Sequence, residues 1–269
     1  MEQRLGSALF HRTSRRLALS EAGRTALDRA NRLLAEGEAL ETEASDQSAL
    51  PRGLVRMAAP SSFGVMHLAP CLPEFFRQFP GIVVDLSLTD ELADLVGGGF
   101  DLALRIAALE DSSLLARRLC DVRILLVGAP DYFSRHGHPQ HPADLGDLTG
   151  LLYTHTRQRG TWRFEHATRG EYSVTIPAGV LRANNAEAML PALRAGLGVA
   201  LLPEFLAWSD IKDGSLEAVM CEWRVAPVGV HLVTPPGVMR PRRVAVLMDY
   251  LAGSLAKAPW AQAVNQVVA

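Results

Sequence analysis

From Gly53 onward, the chain alternates between short apolar runs and segments whose apolar residues recur with helical spacing. The apolar runs at 54–59, 82–88 and 101–106 have the length and the β-branched content of buried strands. The segment that follows Ser61 and stops at Pro80-Gly81 has the spacing and the stop signal of a helix. This alternation predicts an α/β fold with largely parallel sheets.

The same pattern continues along the chain and predicts two interleaved lobes with a cleft between them. The last strand and helix, at 228–234 and 242–255, are expected to return to the first lobe. The other expected elements are a short helix at 91–96, strands at 114–119 and 122–127 separated by Cys120-Asp121, short helices at 130–135 and 142–145, a hairpin of 162–166 with 172–176, a strand at 179–183, a helix ending at Ala195 and a strand at 199–202.

The first fifty residues have a different organisation. Residues 9–19 alternate apolar and polar side chains around an arginine-rich centre, which predicts a hairpin, and Ser20 is placed to cap the following helix. That helix has a narrow apolar stripe through Leu27, Leu33 and Leu40, a pattern typical of packing against a partner helix. Packing on the chain's own body is the alternative. The linker is expected at 44–53.

Charge and composition limit the class of protein. Residues 1–32 hold seven arginines against three acidic residues, whereas the whole chain has a net charge of -2, so a basic head precedes an acidic body. This asymmetry indicates an anionic partner for the head alone. No apolar segment is long enough to cross a membrane. The three cysteines are far apart, which favours reduced thiols in the cytoplasm.

Several motifs together resemble the LysR-type transcriptional regulators. The similarity to the end of their DNA-binding domain rests on Glu2-Gln3-Arg4-Leu5-Gly6, Leu9-Phe10, Arg12-Thr13, Arg15-Arg16-Leu17, Leu19 and Glu21-Ala22-Gly23. The body resembles their effector domain through Pro60-Ser61, residues 75–80, Asp101-Leu102-Ala103-Leu104-Arg105 and Ala195-Gly196-Leu197-Gly198-Val199.

The resemblance implies a two-lobed effector domain of the type II periplasmic-binding-protein kind, preceded by a wing and a long dimerisation helix. The expected division is a remnant winged helix-turn-helix at 1–20, a dimerisation helix and linker at 21–52, and an effector-binding domain at 53–269. Within that domain, lobe I is expected at about 53–122 and 228–257, and lobe II at about 123–227. A homodimer, often a dimer of dimers, is implied.

The chain departs from the family's pattern at its start, because Met1 stands where a leucine is usual. Most of the recognition helix is therefore expected to be missing, which would compromise specific reading of base edges. The wing residues Arg12, Thr13, Arg15 and Arg16 are expected to contact DNA phosphates, which gives salt-dependent affinity with little sequence discrimination.

The predicted cleft has candidate effector-binding residues on both sides. Helices that begin after strands, at Ser61-Ser62 and Asn184-Asn185, would offer backbone N–H groups to a small carboxylate, although plain capping is the alternative. Arg105 is expected to pair with that carboxylate or, alternatively, to hold Asp101 or a neighbouring loop. The full set of predicted effector contacts is Ser61, Ser62, Thr89, Arg105, Trp162, Asn184, Pro203 and His231; Trp162 is alternatively a core residue.

Other classes of function find less support in the sequence. His136, His138 and His141 lie in a Gly- and Pro-containing loop without a completing ligand, so neither a metal nor another cofactor is predicted. Familiar nucleophile, zinc-protease and nucleotide-binding motifs are missing. The alternatives kept open are a two-lobed enzyme and a two-lobed binding protein without a DNA role.

Overall fold

The computed structural model describes residues 2–13, 16–27, 29–30, 33, 37, 50–107, 114–155, 160–236 and 240–261. Within these ranges, the side chains of residues 3, 5, 11–13 and 16–18 are not described. No helix among the described residues is long and apolar enough to cross a membrane.

The N-terminal segment forms a short helix and a hairpin. Helix α1 spans Glu2–Leu5, and strands β1 (Phe10–Thr13) and β2 (Arg16–Leu19) pair antiparallel. The Ser20 hydroxyl oxygen accepts the backbone N–H of Gly23 at 2.9 Å, and residues 21–27 are helical. The predicted wing hairpin and the Ser20 cap are therefore confirmed.

The remaining strands and helices follow in a regular order. The strands are β3 (Gly53–Ala59), β4 (Ile82–Leu88), β5 (Leu102–Ile106), β6 (Leu115–Gly128), β7 (Gly150–Tyr153), β8 (Thr161–His166), β9 (Gly170–Thr175), β10 (Ala178–Ala183), β11 (Val199–Pro203), β12 (Glu217–Val219) and β13 (Val225–Thr234). The helical run α2 comprises Ser61–Phe63, a π-helical stretch at Gly64–Leu68, a 3-10 stretch at Ala69–Cys71 and Leu72–Gln78. The other helices are α3 (Pro130–His136), α4 (Leu190–Arg194), α5 (Glu204–Asp213) and α6 (Arg242–Leu255), with 3-10 turns at Pro142–Asp147 and Glu187–Met189.

Two long strands join the halves of one nine-stranded sheet. The strand order is β10-β7-β11-β6-β13-β5-β3-β4, and β12 also pairs with β6. Strands β6 and β13 run antiparallel along most of their length, from Leu115 opposite Thr234 to Ile124 opposite Val225. The end of β13 pairs with β5, whereas the end of β6 pairs with β11 and β12. We call the side that holds β3, β4, β5 and α2 the first lobe, and the side that holds β7–β12 and α5 the second lobe.

The two predicted strands at 114–119 and 122–127 are wrong as separate elements, because β6 is one strand. Asp121 disfavours a strand, yet Cys120 and Asp121 pair in register with Val230 and Gly229 of β13. The Asp121 carboxylate accepts the Nε–H of Arg118 at 2.9 Å, so its charge is compensated beside the strand. Pairing along the whole neighbouring strand thus overrides the local turn signal.

The predicted helix at 91–96 is also wrong. One carboxylate oxygen of Asp94 accepts the backbone N–H groups of Val96 at 3.1 Å and Gly97 at 2.9 Å. These local hydrogen bonds form a tight turn, and such side-chain contacts compete with helix formation.

The expected capping of α2 by Ser61 or Ser62 is likewise corrected, because Pro60 is the N-cap residue and no side chain caps the helix there. The first N–H of the helix, that of Ser61, is accepted by Asp90 instead. Helix α6 matches its predicted bounds, and its buried side chains Val244, Leu247, Leu251 and Leu255 recur at helical spacing.

Candidate functional site

A cavity of about 660 Å³ lies between the two lobes, beside the paired strands β6 and β13. Its size and its predominantly apolar lining are those of a small-molecule site. The lining residues are Pro60, Ser62, Phe63, Asp90 and Ile106 from the first lobe, and Ile124, Leu151, Leu152, Tyr153, Gly160, Thr161, Trp162, Arg163, Phe164, Glu165, Glu171, Asn185, Ala186, Leu201, Pro203, Phe205, Leu206, Arg224, Val225, Ala226 and Val228 from the crossing strands and the second lobe.

A hydrogen-bonded group in the lining of the cavity connects the lobes. Asn185, which follows β10, donates through Nδ2 to Oδ2 of Asp90 at 2.7 Å and to the hydroxyl oxygen of Ser62 at 3.1 Å. The other carboxylate oxygen of Asp90 accepts the backbone N–H of Ser61 at 2.9 Å. We call Ser62, Asp90 and Asn185 the bridging group. Through these hydrogen bonds, the residues that follow β4 and β10 contact the start of α2.

Tyr153 lines the cavity close to the bridging group. Burial, and next the negative charge of Asp90, raise the pKa of the Tyr153 hydroxyl, so this group stays protonated at neutral pH. The cationic side chains among the described lining residues are Arg163 and Arg224. Neither forms an ion pair with Asp90 among the described residues.

Aromatic rings close one wall of the cavity. The rings of Phe63 in α2 and Phe205 in α5 meet edge to face at a centroid distance of 5.0 Å, so this contact also joins the lobes. Trp260 packs behind both rings, at 5.6 Å from Phe63 and 6.0 Å from Phe205. The His67 ring adjoins all three, with Nε2 at 3.2 Å from the carbonyl oxygen of Phe205, while its Nδ1 accepts from the Trp260 indole N–H at 3.3 Å.

Three of the predicted effector contacts, Ser62, Trp162 and Pro203, line the cavity. Ser61 adjoins it and donates its backbone N–H to Asp90. Asn184 is exposed, whereas its neighbour Asn185 lines the cavity, as was expected of Asn184. Asn185 also accepts the backbone N–H of Ala188 at 3.3 Å, so it is the asparagine that supports the following helical turn.

The remaining predicted contacts do not line the main cavity. Thr89 and Arg105 line a separate space of about 90 Å³ that shares Pro60, Asp90 and Ile106 with it. Arg105 donates through Nη2 to the carbonyl oxygen of Ala93 at 3.1 Å, so it holds a neighbouring loop, as one of the two alternatives expected. His231 lies opposite Arg105 in the β13–β5 register and lines neither space.

Sequence reasoning missed Asp90, Tyr153 and Phe205. Asp90 directly follows Thr89 at the end of β4, so the rule that selected Thr89 also applied to Asp90. Phe205 opens α5, whose start after Pro203 and whose acidic first turn at Glu204 are ordinary helix-start signals. Nothing local distinguishes Tyr153, because its position depends on the alignment of β7 with β10.

The predicted DNA contacts are only partly described. Arg12 and Thr13 lie on β1 and Arg16 lies on β2, with Thr13 opposite Arg16 at the hairpin end. Their side chains and the whole of Arg15 lie outside the described residues.

The three histidines of the 136–141 loop have separate local contacts. His136 lies within hydrogen-bonding distance of the Tyr132 carbonyl, His138 contacts the Glu217 carboxylate, and His141 accepts the Ala143 N–H. Within the described ranges, no group of three or more His, Cys, Asp and Glu side chains is arranged to hold a metal.

A family profile described as the LysR substrate binding domain matches residues 48–256. The chain belongs to the LysR-type transcriptional regulators. An HTH-type transcriptional regulator of Xanthomonas campestris pv. campestris is 34% identical over 253 residues, which cover 93% of this chain and 74% of that protein. The regulator PtxR of Pseudomonas aeruginosa is 32% identical, with 97% of this chain and 83% of that protein covered.

A solved structure of a related LysR-type regulator extends this likeness to the fold. CrgA from Neisseria meningitidis superposes with a TM-score of 0.70 at 29% identity, covering 95% of this chain and 86% of CrgA. The predicted two-lobed effector domain of the periplasmic-binding-protein kind is confirmed for this LysR-type regulator.

Proposed function

We propose that this LysR-type regulator binds its small-molecule effector in the cavity between the lobes. The observation that carries the proposal is that both lobes supply walls of one large, mainly apolar cavity, whose lining includes the hydrogen-bonded side chains of the bridging group. Of the contacts expected from the sequence, Ser62, Trp162 and Pro203 belong to this proposed site. The other predicted contacts are not among the lining residues of the cavity, and no direct effector contact is proposed for them: Ser61, Thr89, Arg105, Asn184 and His231.

Regulation follows if the effector changes how the two lobes sit relative to each other. The lobes meet at the bridging group and at the contact between Phe63 and Phe205, while β6 and β13 connect them covalently. A ligand in the cavity contacts residues of both lobes. Because these contacts change when the lobes move apart, the ligand has a different affinity for open and closed arrangements of the lobes. Such differential affinity is what shifts a conformational equilibrium.

The DNA-facing part of the proposal concerns the β1–β2 hairpin. We propose that Arg12, Thr13, Arg15 and Arg16 contact phosphates, because a basic hairpin beside a helix end is suited to positioning on the DNA backbone. The exposed Leu27 and Leu33 of the following helical segment favour a homodimer, formed through a partner helix. A DNA-bound regulator of this kind acts in the cytoplasm, and no catalytic activity is proposed.

The division of the chain remains a proposal as well: a DNA-binding segment at 1–20, a dimerisation segment and linker at 21–52, and an effector-binding domain at 53–269. In that domain we place the lobe boundaries near 122 and 228. These positions lie on β6 and β13, where the sheet passes from one lobe to the other.

A thermal-shift screen of aromatic and short-chain organic compounds tests the proposed site with a cavity-filling variant. Ala186 lines the cavity, whereas Ala188 is exposed and does not line it, so Ala186→Phe and Ala188→Phe form a matched pair. A compound at one hundred times its Kd stabilises the native state by about 2.7 kcal/mol. We expect such stabilisation in the wild type and in Ala188→Phe, and its loss in Ala186→Phe. Equal stabilisation of all three proteins would place the ligand elsewhere, and consumption of the compound would indicate an enzyme.

A further inference from the structure

We infer that the effector bound in this cavity is a mainly apolar molecule built around an aromatic ring. It donates a hydrogen bond to Asp90, and the donor that fits best is a protonated amine. This inference rests on the proposed function, because it names the chemical class of the ligand for the same site. It differs from the small carboxylate expected from the sequence, and the reason lies in two contacts.

The first contact concerns the start of α2, where a ligand carboxylate was expected to accept backbone N–H groups. The protein's own carboxylate is already there, since Oδ1 of Asp90 accepts the Ser61 N–H at 2.9 Å. A ligand carboxylate brought to the same N–H group would meet a like charge in a partly buried setting, which disfavours it.

The second contact concerns Arg105, the group expected to pair with a ligand carboxylate. Its guanidinium donates to the Ala93 carbonyl and faces the smaller space rather than the cavity. The described cations that do line the cavity are Arg163 in β8 and Arg224, the residue before β13, and neither forms an ion pair with Asp90. Among the described residues, no cation forms an ion pair with Asp90, so its carboxylate in the cavity lining is open to a cationic group of the ligand.

The bridging group leaves Asp90 able to accept a further donor. Its carboxylate has about four lone-pair sites, and the contacts with Ser61 and Asn185 use two of them. A charged donor on the ligand forms a stronger hydrogen bond to a carboxylate than a neutral one. The apolar body of the ligand is then free to pack among Phe63, Trp162, Phe164 and Phe205.

The test uses three phenyl compounds of similar size that differ in their polar group: phenethylamine, 2-phenylethanol and phenylacetate. Affinities are measured by thermal shift and calorimetry on the wild type, Asp90→Asn, Ser62→Ala and Asp131→Asn. Asp131→Asn is the charge-matched control, because its carboxylate is 89% exposed on α3 and outside the cavity. Ser62→Ala removes a hydroxyl of the bridging group and keeps the charge of Asp90.

We expect phenethylamine to bind about tenfold or more tightly than phenylacetate, with 2-phenylethanol between them. In Asp90→Asn this preference should fall by about tenfold, a change of about 1.4 kcal/mol, while Ser62→Ala and Asp131→Asn should retain it. The inference is overturned if phenylacetate binds the wild type as tightly as phenethylamine, if Asp90→Asn leaves the preference unchanged, or if none of the three compounds binds.

The outcome also separates this inference from the proposed function. If phenylacetate or another acid stabilises the wild type and Ala186→Phe abolishes that effect, the cavity is the effector site and only the ligand class is wrong. If stabilisation by every tested compound survives in Ala186→Phe, the cavity itself is not the effector site.

Discussion

The side-chain amide of Asn185 donates a 2.7 Å hydrogen bond to the carboxylate of Asp90, and the two residues are 95 positions apart in the chain. Asp90 belongs to the first lobe and Asn185 to the second. The same amide group contacts Ser62, so one side chain of the second lobe touches two residues of the first. This contact is a direct polar connection between the two lobes. It lies in the lining of the cavity that we propose as the effector site.

Replacing Asn185 by Ala should weaken the contact between the two lobes. Hydrogen bonds to charged groups contribute about 1.5–3 kcal/mol, so we expect a loss of stability of this order. Hydrogen exchange should also become faster at residues 61–63 and 185–188, which lie on the two sides of the contact. The neighbouring Asn184→Ala is the control, because Asn184 is exposed and outside the cavity. Equal effects of the two substitutions would contradict a special role for Asn185.

A second connection fixes α5 to the crossing strand β6. Arg123 donates from Nε to Oε2 of Glu204 at 2.7 Å and from Nη2 to Oε1, and the Glu204 side chain is only 2% exposed. Glu204→Gln keeps the shape but removes the charge, and we expect it to lower the free energy of unfolding by about 1.5–3 kcal/mol. Urea denaturation measures this change. Asp131→Asn breaks an exposed pair with Arg135 and should cost less than about 1 kcal/mol. Comparable losses in both variants would show that burial of Glu204 contributes nothing.

His67 should make the protein less stable as the pH falls below about 6.5. Burial lowers the pKa of His67 below its ordinary value of 6.5, while its hydrogen bond to the Phe205 carbonyl opposes this shift. Between these two pKa values the unfolded state binds the proton and the folded state does not, so stability is lost as the pH falls through this window.

The measurement for His67 is urea denaturation at about pH 7.5 and pH 5.5 for the wild type and His67→Gln. We expect the wild type to lose more stability between these pH values than the variant does. Some dependence should remain in the variant, because burial also lowers the pKa of His231. An identical pH dependence of the two proteins would exclude His67 as a source of it.

The hairpin arginines should contribute salt-dependent contacts to DNA. If Arg12 and Arg16 each contact a phosphate, replacing both by Ala should reduce the slope of log K against log salt concentration by about 1.8. Titration of a labelled duplex of arbitrary sequence at several salt concentrations measures this slope. Arg77→Ala is the control, since Arg77 is an exposed residue of α2 in the body of the protein. A slope that does not change in the double variant would remove the hairpin from the DNA interface.

Much of the fold could be predicted because local signals agree with the final contacts. Helix α6 begins after Pro241 and keeps an apolar face throughout, and β3 and β4 are apolar runs with a clear helix between them. The strand β6 could not be predicted as one element, because its continuity through Cys120 and Asp121 depends on β13, more than 100 residues later in the chain.

The candidate site was harder to predict than the fold. Ser62, Trp162 and Pro203 could be selected because they lie at the ends or starts of recognisable elements. The partnership of Asp90 with Asn185 could not, since it depends on how two lobes meet. Arg105 was selected for its chemistry at a strand end, yet its guanidinium donates a hydrogen bond to the Ala93 carbonyl.

The most direct test of the effector site is hydrogen exchange of the wild type with the compound that stabilises it most in the thermal-shift screen. If the cavity between the lobes binds the ligand, protection should rise together at residues 61–63 of the first lobe and 183–188 of the second. Protection confined to one lobe, or located instead at the 136–141 loop, would contradict a binding site formed by both lobes.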